Sequence, residues 1–301
     1  MTLRFGIDLG GTKTEIAVLR QNNSEIIYKQ RIPTPRTYDG IIRNICSLIA
    51  ATEKKLNESG SVGIGLPGAL SPASGLIKNA NLTCLNGKPF DKDLNTALGR
   101  PIRLANDADC LALSEATDGA GTGYGIVWGV ILGTGIGSGI VVNGRLMQGA
   151  NAICGEWGHN PQPGLKPSEI KRLPCYCGRN GCIETVLSGP ALAKEYFRIT
   201  GKEKTTPEII KAMTDGEKDA EKVFRIYEDR LAKATAAVIN IIDPHVIVLG
   251  GGLSNVDRLY TTIPRLWPKY VFSDTVLTKI KKAAYGDSSG VRGAAWLWNN
   301  G

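Results

Sequence analysis

Four side chains near the middle of the chain have the type and spacing for chemistry. Cys175, Cys177 and Cys182 fall within eight residues around the turn Gly178-Arg179-Asn180-Gly181, and His159 lies sixteen residues before the first of them. Three thiols and one imidazole make a closed set of borderline-soft donors, which suits a structural zinc ion and leaves no coordination position for a reacting water. Free or redox-active thiols are the alternative. Cys46 falls on the apolar stripe of a helix, and Cys84, Cys110 and Cys154 have no partner at motif spacing, so these four read as core thiols. His245, between a proline turn and a strand, reads as structural. Seven cysteines, an odd number, and no apolar leader after Met1 fit a reducing compartment, so a cytoplasmic location is expected.

Glycine is the second chemical signal: 37 of 301 residues, against roughly 7% in average proteins. The glycines cluster between apolar runs, where a backbone free of side chains can turn its N–H groups toward phosphate. Three clusters qualify, Gly10-Gly11-Thr12-Lys13, Gly133-Thr134-Gly135 and Gly250-Gly251-Gly252. Each is equally readable as a plain turn. The chain holds no G-x-x-x-x-G-K-[ST] sequence, which excludes a P-loop, and the apolar run Ile16 to Leu19 after the first cluster reads as a strand, not the helix of a dinucleotide-binding loop. Asn106-Asp107, at a strand-to-helix junction, is either an N-cap pair or a carboxylate base with a polar neighbour.

The elements that must position these groups alternate between strand and helix. Apolar strands at Leu3 to Leu9 and Ile16 to Leu19 flank the first glycine cluster, and the same plan returns at an offset of 123 residues, which suggests duplicated halves. Helical spacing covers Asp39 to Asn57 and Glu217 to Ile242, the latter with a stripe running to Val238 and Ile241; short strands are expected at Val62 to Leu66, Ile102 to Ala105 and His245 to Leu249. The charge-free stretch from Gly119 to Gly144 is broken by glycines into runs too short to span a membrane. Domains are expected at 1–118, joined by a returning C-terminal helix of about 288–301, and at 119–287, including the metal segment 156–184.

Strand, Asp8-x-Gly10-Gly11-Thr12, strand, repeated in a second half and followed by a third glycine cluster, resembles the actin-like (ribonuclease H-like) ATPase and sugar kinase superfamily. Glu156-Trp157-Gly158-His159 followed by C-x-C-G-x-x-G-C-x-E resembles, more specifically, the ROK family, and the segments NANLTCLNGKPFDKDL and GDSSGVRGAAWLW are most similar to its fructokinase branch, the manno(fructo)kinases. The resemblance implies two duplicated α/β domains with a nucleotide and sugar cleft between them, and ATP, Mg²⁺ and Zn²⁺ as cofactors. It implies that Asp8 acts on the Mg²⁺ hydration shell, that Gly10, Gly11, Thr12 and Lys13 with Gly133, Thr134 and Gly135 hold phosphates, and that Gly250, Gly251 and Gly252 approach the adenosine.

By the same matching Asp107 is the general base toward a hexose hydroxyl. Asn106, Glu156, His159 and Glu184 contact the sugar, with Gly68 and Asn81 as further contacts, and His159 ligates zinc with one ring nitrogen while addressing the sugar with the other. Fructose is the expected acceptor; glucose and N-acetylglucosamine are alternatives, and a homodimer is implied. A sugar-responsive repressor of the same family is the reading from another class. The net charge of +8 invites it, but the first strand begins at Leu3 and Lys and Arg are spread along the chain, so no nucleic-acid partner and no membrane partner are expected.

Overall fold

The computed structural model describes residues 3–20 and 24–298. They divide into two compact units, the first comprising residues 3–20, 24–123, Gly139–Cys154 and 284–298 and the second Tyr124–Ser138 and Gly155–Ala283.

In the first unit, strands β1 (Leu3–Leu9), β2 (Lys13–Arg20) and β3 (Ile26–Pro33) form an antiparallel meander. Helix α1 (Tyr38–Leu56) leads to β4 (Gly60–Leu66), a small hairpin of β5 (Ala69–Leu70) and β6 (Ile77–Lys78), α2 (Phe90–Leu98), β7 (Ile102–Asn106) and α3 (Asp107–Thr117). The sheet order is β3-β2-β1-β4-β7, with β4 parallel to both β1 and β7. Both faces of β1 are covered, so it reads as a continuous apolar run instead of an alternating one. Phe5, Ile7 and Leu9 enter one core with Ile41, Ile45 and Ile49 of α1 and Phe90 and Leu94 of α2.

The opposite face of that sheet is built on glycine. Helix α10 (Ser289–Trp296) lies so close that a Cβ on Gly6 would sit 2.0 Å from the Val291 carbonyl oxygen, one on Gly63 1.9 Å from that of Ala294, and one on Gly293 1.6 Å from that of Cys110 in α3. Gly6 and Gly63 therefore let α10 pack onto the first sheet, and Gly293 lets it pack onto α3.

The second sheet repeats the plan of the first. Strands β8 (Ile126–Leu132), β9 (Ile136–Val142), β10 (Arg145–Leu146), β11 (Val246–Gly250) and β12 (Lys279–Lys282) take the order β10-β9-β8-β11-β12, with β11 parallel to β8 and β12. Helices α4 (Pro167–Ile170), α5 (Glu184–Leu187), α6 (Gly189–Thr200), α7 (Thr206–Thr214), α8 (Lys218–Ile242) and α9 (Leu259–Leu266) complete the unit. The buried stripe of α8 runs through Phe224, Tyr227 and Leu231 to Ala236 and Ile239, while Ile241, expected inside, is 81% exposed. The stripe drifts because 3.6 residues per turn carry it past the 3–4 spacing over so long a helix.

Two expectations change. Gly139–Cys154 groups with the first unit instead of the second. The cause is local: a Cβ on Gly139 would lie 2.7 Å from Asp109 Cα, and Lys78 Nζ donates to the Asn151 carbonyl at 2.8 Å. Of the four expected core thiols only Cys110 is fully buried. Cys46 and Cys84 sit half-buried at the margin of the α1–α2 core, and Cys154 is half-buried as well. Among the described residues no helix is long and apolar enough to cross a membrane.

Candidate active-site residues and thiol centre

In the first unit, Asp8 lies near the carboxyl end of β1, in register with Glu15 of β2 and Gly65 of β4. Burial foremost, then the charges of Asp107 and Glu15, push its carboxyl up to about 6, with Arg31 pulling the other way. Glu15 itself is buried and paired with Lys29 and Arg31 of β3. The 10–13 turn that follows is closed by the Gly10 amide donating to the Lys13 carbonyl at 3.0 Å, and Thr34 braces it by donating its hydroxyl to the Gly10 carbonyl and its amide to the Thr12 carbonyl. Gly11, Thr12 and Lys13 form the exposed tip.

Asn106 ends β7 and caps α3, its side-chain oxygen accepting from the Ala108 amide at 2.9 Å while Nδ2 reaches the Gly68 carbonyl at 3.4 Å. Asp107 Oδ1 accepts from the same Ala108 amide at 2.8 Å. The pair is thus a genuine N-cap, and the cap fixes both side chains at the carboxyl end of a parallel strand, where open α/β folds present ligand groups. Gly68 is buried beneath Ala80, and Asn81 is exposed with its amide on the Pro67 carbonyl.

In the second unit, the Gly133 amide donates to the Gly135 carbonyl at 3.1 Å, a turn of the same kind as the first, with Thr134 exposed at its tip. Glu184, at the head of α5, accepts from the Ile136 amide at 2.9 Å through Oε2. That same oxygen would lie 2.9 Å from a Cβ on Gly135, so a side chain there would displace the Glu184 carboxylate. Gly251 takes φ +79° with its Cβ position 2.6 Å from the Leu132 carbonyl oxygen, a packing demand, whereas Gly252 is exposed with nothing near its Cβ position. Within Glu156-Trp157-Gly158-His159 the middle residues anchor and the outer ones present. Trp157 is buried edge-on against Trp128, ring centroids 4.9 Å apart, and a Cβ on Gly158 would strike the Ile136 carbonyl oxygen at 2.4 Å. Glu156 is exposed and His159 half-buried.

His159, Cys175, Cys177 and Cys182 converge, with their donor atoms all within 4.8 Å of one another. Cys175 Sγ is 3.5 Å from His159 Nδ1 and Cys177 Sγ is 3.6 Å from Cys182 Sγ. Tetrahedral metal–sulfur bonds of about 2.3 Å and metal–nitrogen bonds of about 2.0 Å give edges of roughly 3.5–3.8 Å, so the Cys175–His159 and Cys177–Cys182 separations match edges of one four-coordinate ion. The knuckle is shaped by the Cys175 amide on the Arg179 carbonyl and by Gly178 and Gly181, both in the left-handed region at φ +85° and +72°. Against its burial, Cys177 is pulled down to about 6 by hydrogen bonds to Arg179 and its thiol neighbours, while burial and those neighbours push Cys182 up to about 12. By itself the cluster accommodates one thiolate readily and resists the others; a divalent cation supplies the charge that three thiolates need.

The ROK family profile matches residues 4–300. The chain belongs to the ROK family. It is 39% identical over 298 residues to an N-acetyl-D-glucosamine kinase of Pectobacterium atrosepticum, covering 97% of this chain and 98% of that protein. In structure it resembles a ROK hexokinase from Thermus thermophilus, with TM-score 0.85, 28% identity and coverage of 97% of this chain and 96% of that one. It also resembles a ROK glucokinase from Streptomyces griseus in complex with glucose and AMPPNP, with TM-score 0.79, 27% identity and coverage of 99% and 100%. The duplicated α/β fold of actin-like ATPase type is thus the fold of this chain.

Several supporting residues had no sequence signal. Thr34 braces the first glycine turn from 24 residues beyond Gly10, and Glu115, fully buried, accepts from the Ala120 and Ala284 amides and the Ser289 hydroxyl. Tyr176, inside the thiol motif itself, places its hydroxyl 2.8 Å from His159 Nε2. Its position between two cysteines was the one available clue.

Proposed function

We propose that this chain is an ATP-dependent kinase that transfers the γ-phosphoryl group of ATP to a hydroxyl of a hexose-class sugar. The observation that carries the reading is the setting of Asp107. It is half-buried at the carboxyl end of β7, its Oδ1 oriented by the Ala108 amide, with Asn106 capped beside it and its charge felt by Asp8. A carboxylate so held can accept the proton of an attacking hydroxyl, and Asn106 can fix a neighbouring hydroxyl. Lys13 and Thr12, exposed at their turn, suit the phosphate chain, as does Thr134 at the tip of the second turn. Magnesium arriving with ATP neutralises phosphate charge, and it favours the ionised form of Asp8 that burial and Asp107 disfavour.

In the second unit, Glu156, Glu184 and His159 are the residues offered to the sugar. Zinc is the proposed occupant of the thiol set, held by Cys175, Cys177, Cys182 and His159 Nδ1, which leaves Nε2 as the imidazole's outward nitrogen. Binding there is structural: it fixes the tautomer and the ring plane. The Streptomyces griseus structure, with glucose and AMPPNP, supports nucleotide and hexose as the ligand pair.

Fructose is the proposed acceptor, on the wording of the segments 79–94 and 286–298. N-acetylglucosamine is the second reading, favoured by the name of the 39% identical Pectobacterium relative. ADP release measured with fructose, mannose, glucose and N-acetylglucosamine decides. The fructose reading requires the highest kcat/KM on fructose; preference for N-acetylglucosamine replaces it, and no turnover on any of the four sinks the kinase reading itself.

A further inference from the structure

The His159 imidazole is engaged on both sides. Nδ1 faces Cys175 Sγ at 3.5 Å inside the thiol set, and Nε2 faces the Tyr176 hydroxyl at 2.8 Å. With Nδ1 directed at a metal, the ring proton belongs on Nε2, so the imidazole donates and the phenol oxygen accepts. Resting on the kinase reading above, this nitrogen is also the one offered to the sugar. A sugar hydroxyl can therefore reach it only by replacing the tyrosine.

Tyr176 is built to be replaced. It is 77% exposed, and its ring meets His159 edge-on, with centroids 5.0 Å apart and planes at 87°, so little buried area holds it there. As an ordinary phenol, its hydroxyl is neutral at neutral pH and can both donate and accept. A neutral hydroxyl on an imidazole N–H has the same donor and acceptor pattern as a hexose hydroxyl in that place.

We propose that the Tyr176 hydroxyl is an internal substitute for a sugar hydroxyl on His159 Nε2, and that acceptor binding exchanges one for the other. The tyrosine holds the imidazole plane and its proton in the orientation the sugar needs, and in doing so competes with the sugar. It acts through His159 and is a positioning residue, not a catalytic one.

The experiment uses metal-loaded full-length protein labelled with ¹⁵N-histidine, in which His159 and His245 are the two histidines. In Tyr176→Phe the His159 Nε2 resonance moves while those of His245 stay. Sugar added to wild type moves the same His159 resonance. In turnover, Tyr176→Phe lowers the sugar KM about three- to tenfold, the range of one lost competing hydrogen bond, with the ATP KM at its wild-type value. Tyr176→Ala lowers the sugar KM likewise, and metal content per chain, measured for each variant, equals wild type.

An unmoved His159 resonance in Tyr176→Phe shows that the bond is not formed and overturns the proposal. A moved resonance with an unchanged or raised sugar KM shows that the tyrosine is a structural prop or a direct sugar contact, and overturns the exchange. Wild type that phosphorylates no sugar fails in the assay and not in the spectrum. The kinase reading then falls and takes the exchange with it.

Discussion

At Asn106 and Asp107 the observed cap does not compete with the proposed catalytic role, because the hydrogen bonds of the cap hold the two side chains in place. Asp107→Asn keeps the shape and the cap acceptor and removes the base. It is expected to lower kcat by about 10²–10⁴-fold in ADP release while sugar binding by calorimetry persists; near-normal turnover would remove Asp107 from the role. Asp8 makes the opposite demand on stability. Its carboxyl, raised from 3.8 to about 6, holds its proton more tightly in the folded chain than in the unfolded one. Stability tied to this group is therefore present at low pH and declines as pH rises from about 4 through 6, by up to about 2–3 kcal/mol. Asp8→Asn is expected to melt above wild type at pH 7.5, to lose that advantage toward pH 4, and to turn over poorly. A lower melting temperature than wild type at pH 7.5 would count against the strain. What sequence revealed at this scale was type and spacing, as in C-x-C-G-x-x-G-C. It could not reveal partners such as Thr34 for Gly10 or Glu115 for Ala284, because those contacts bridge 24 and 169 positions and use residues with no distinctive chemistry.

Among the elements, strands and helices were legible wherever one period dominated: the hairpin of β1 and β2, the helix α1 and most of α8. The duplication visible as an offset of 123 residues is realised as two sheets with the same connectivity. Less legible was which glycines serve ligands and which serve packing, since a glycine's letter does not say what lies opposite its missing Cβ. The structure separates glycines with backbone opposite the missing Cβ from glycines with open space there, and the proposed division of roles is testable. Gly293→Ala drives a methyl to within 1.6 Å of the Cys110 carbonyl oxygen, between α10 and α3. Both helices are backed by other elements, so the expected loss is about 3 kcal/mol or more, read as a lower urea midpoint at constant slope. Gly252→Ala meets nothing within 4 Å. Its midpoint is expected within about 0.5 kcal/mol of wild type, while the KM for ATP rises if this loop approaches the adenosine. A destabilised Gly252→Ala with unaltered ATP kinetics would move Gly252 into the packing class.

At the scale of the whole molecule, the least self-sufficient part among the described residues is the run from Gly155 to Ile183, which leads into α5. It contains only a single 3₁₀ turn, Trp157–His159, and the four-residue α4, and its buried apolar side chains are Trp157, Cys182 and Ile183. So few apolar groups bury too little surface to hold about 30 residues in one shape. Isolated bridges between Pro161 and Cys182 and between Pro174 and Asn180 tie the run together near the thiols, and polar contacts of Gln162 and Glu169 with Arg230 tie it to α8. A metal ion closing His159 to Cys182 would supply the missing core, much as it does in small metal-dependent domains. The two sheets do not depend on it, since each has its own apolar interior. Stripping metal with a strong chelator is therefore expected to melt this run alone. Trypsin should then cut at the exposed Lys171, Arg172 and Arg179, amide exchange should rise across 155–183, and β1, β4 and α10 should stay protected. Sugar affinity should fall with the loss of His159's orientation, and one equivalent of zinc should restore both protection and affinity. Protein that is metal-free as purified, or equally resistant to trypsin with and without chelator, would show that the thiol knuckle folds on hydrogen bonds alone.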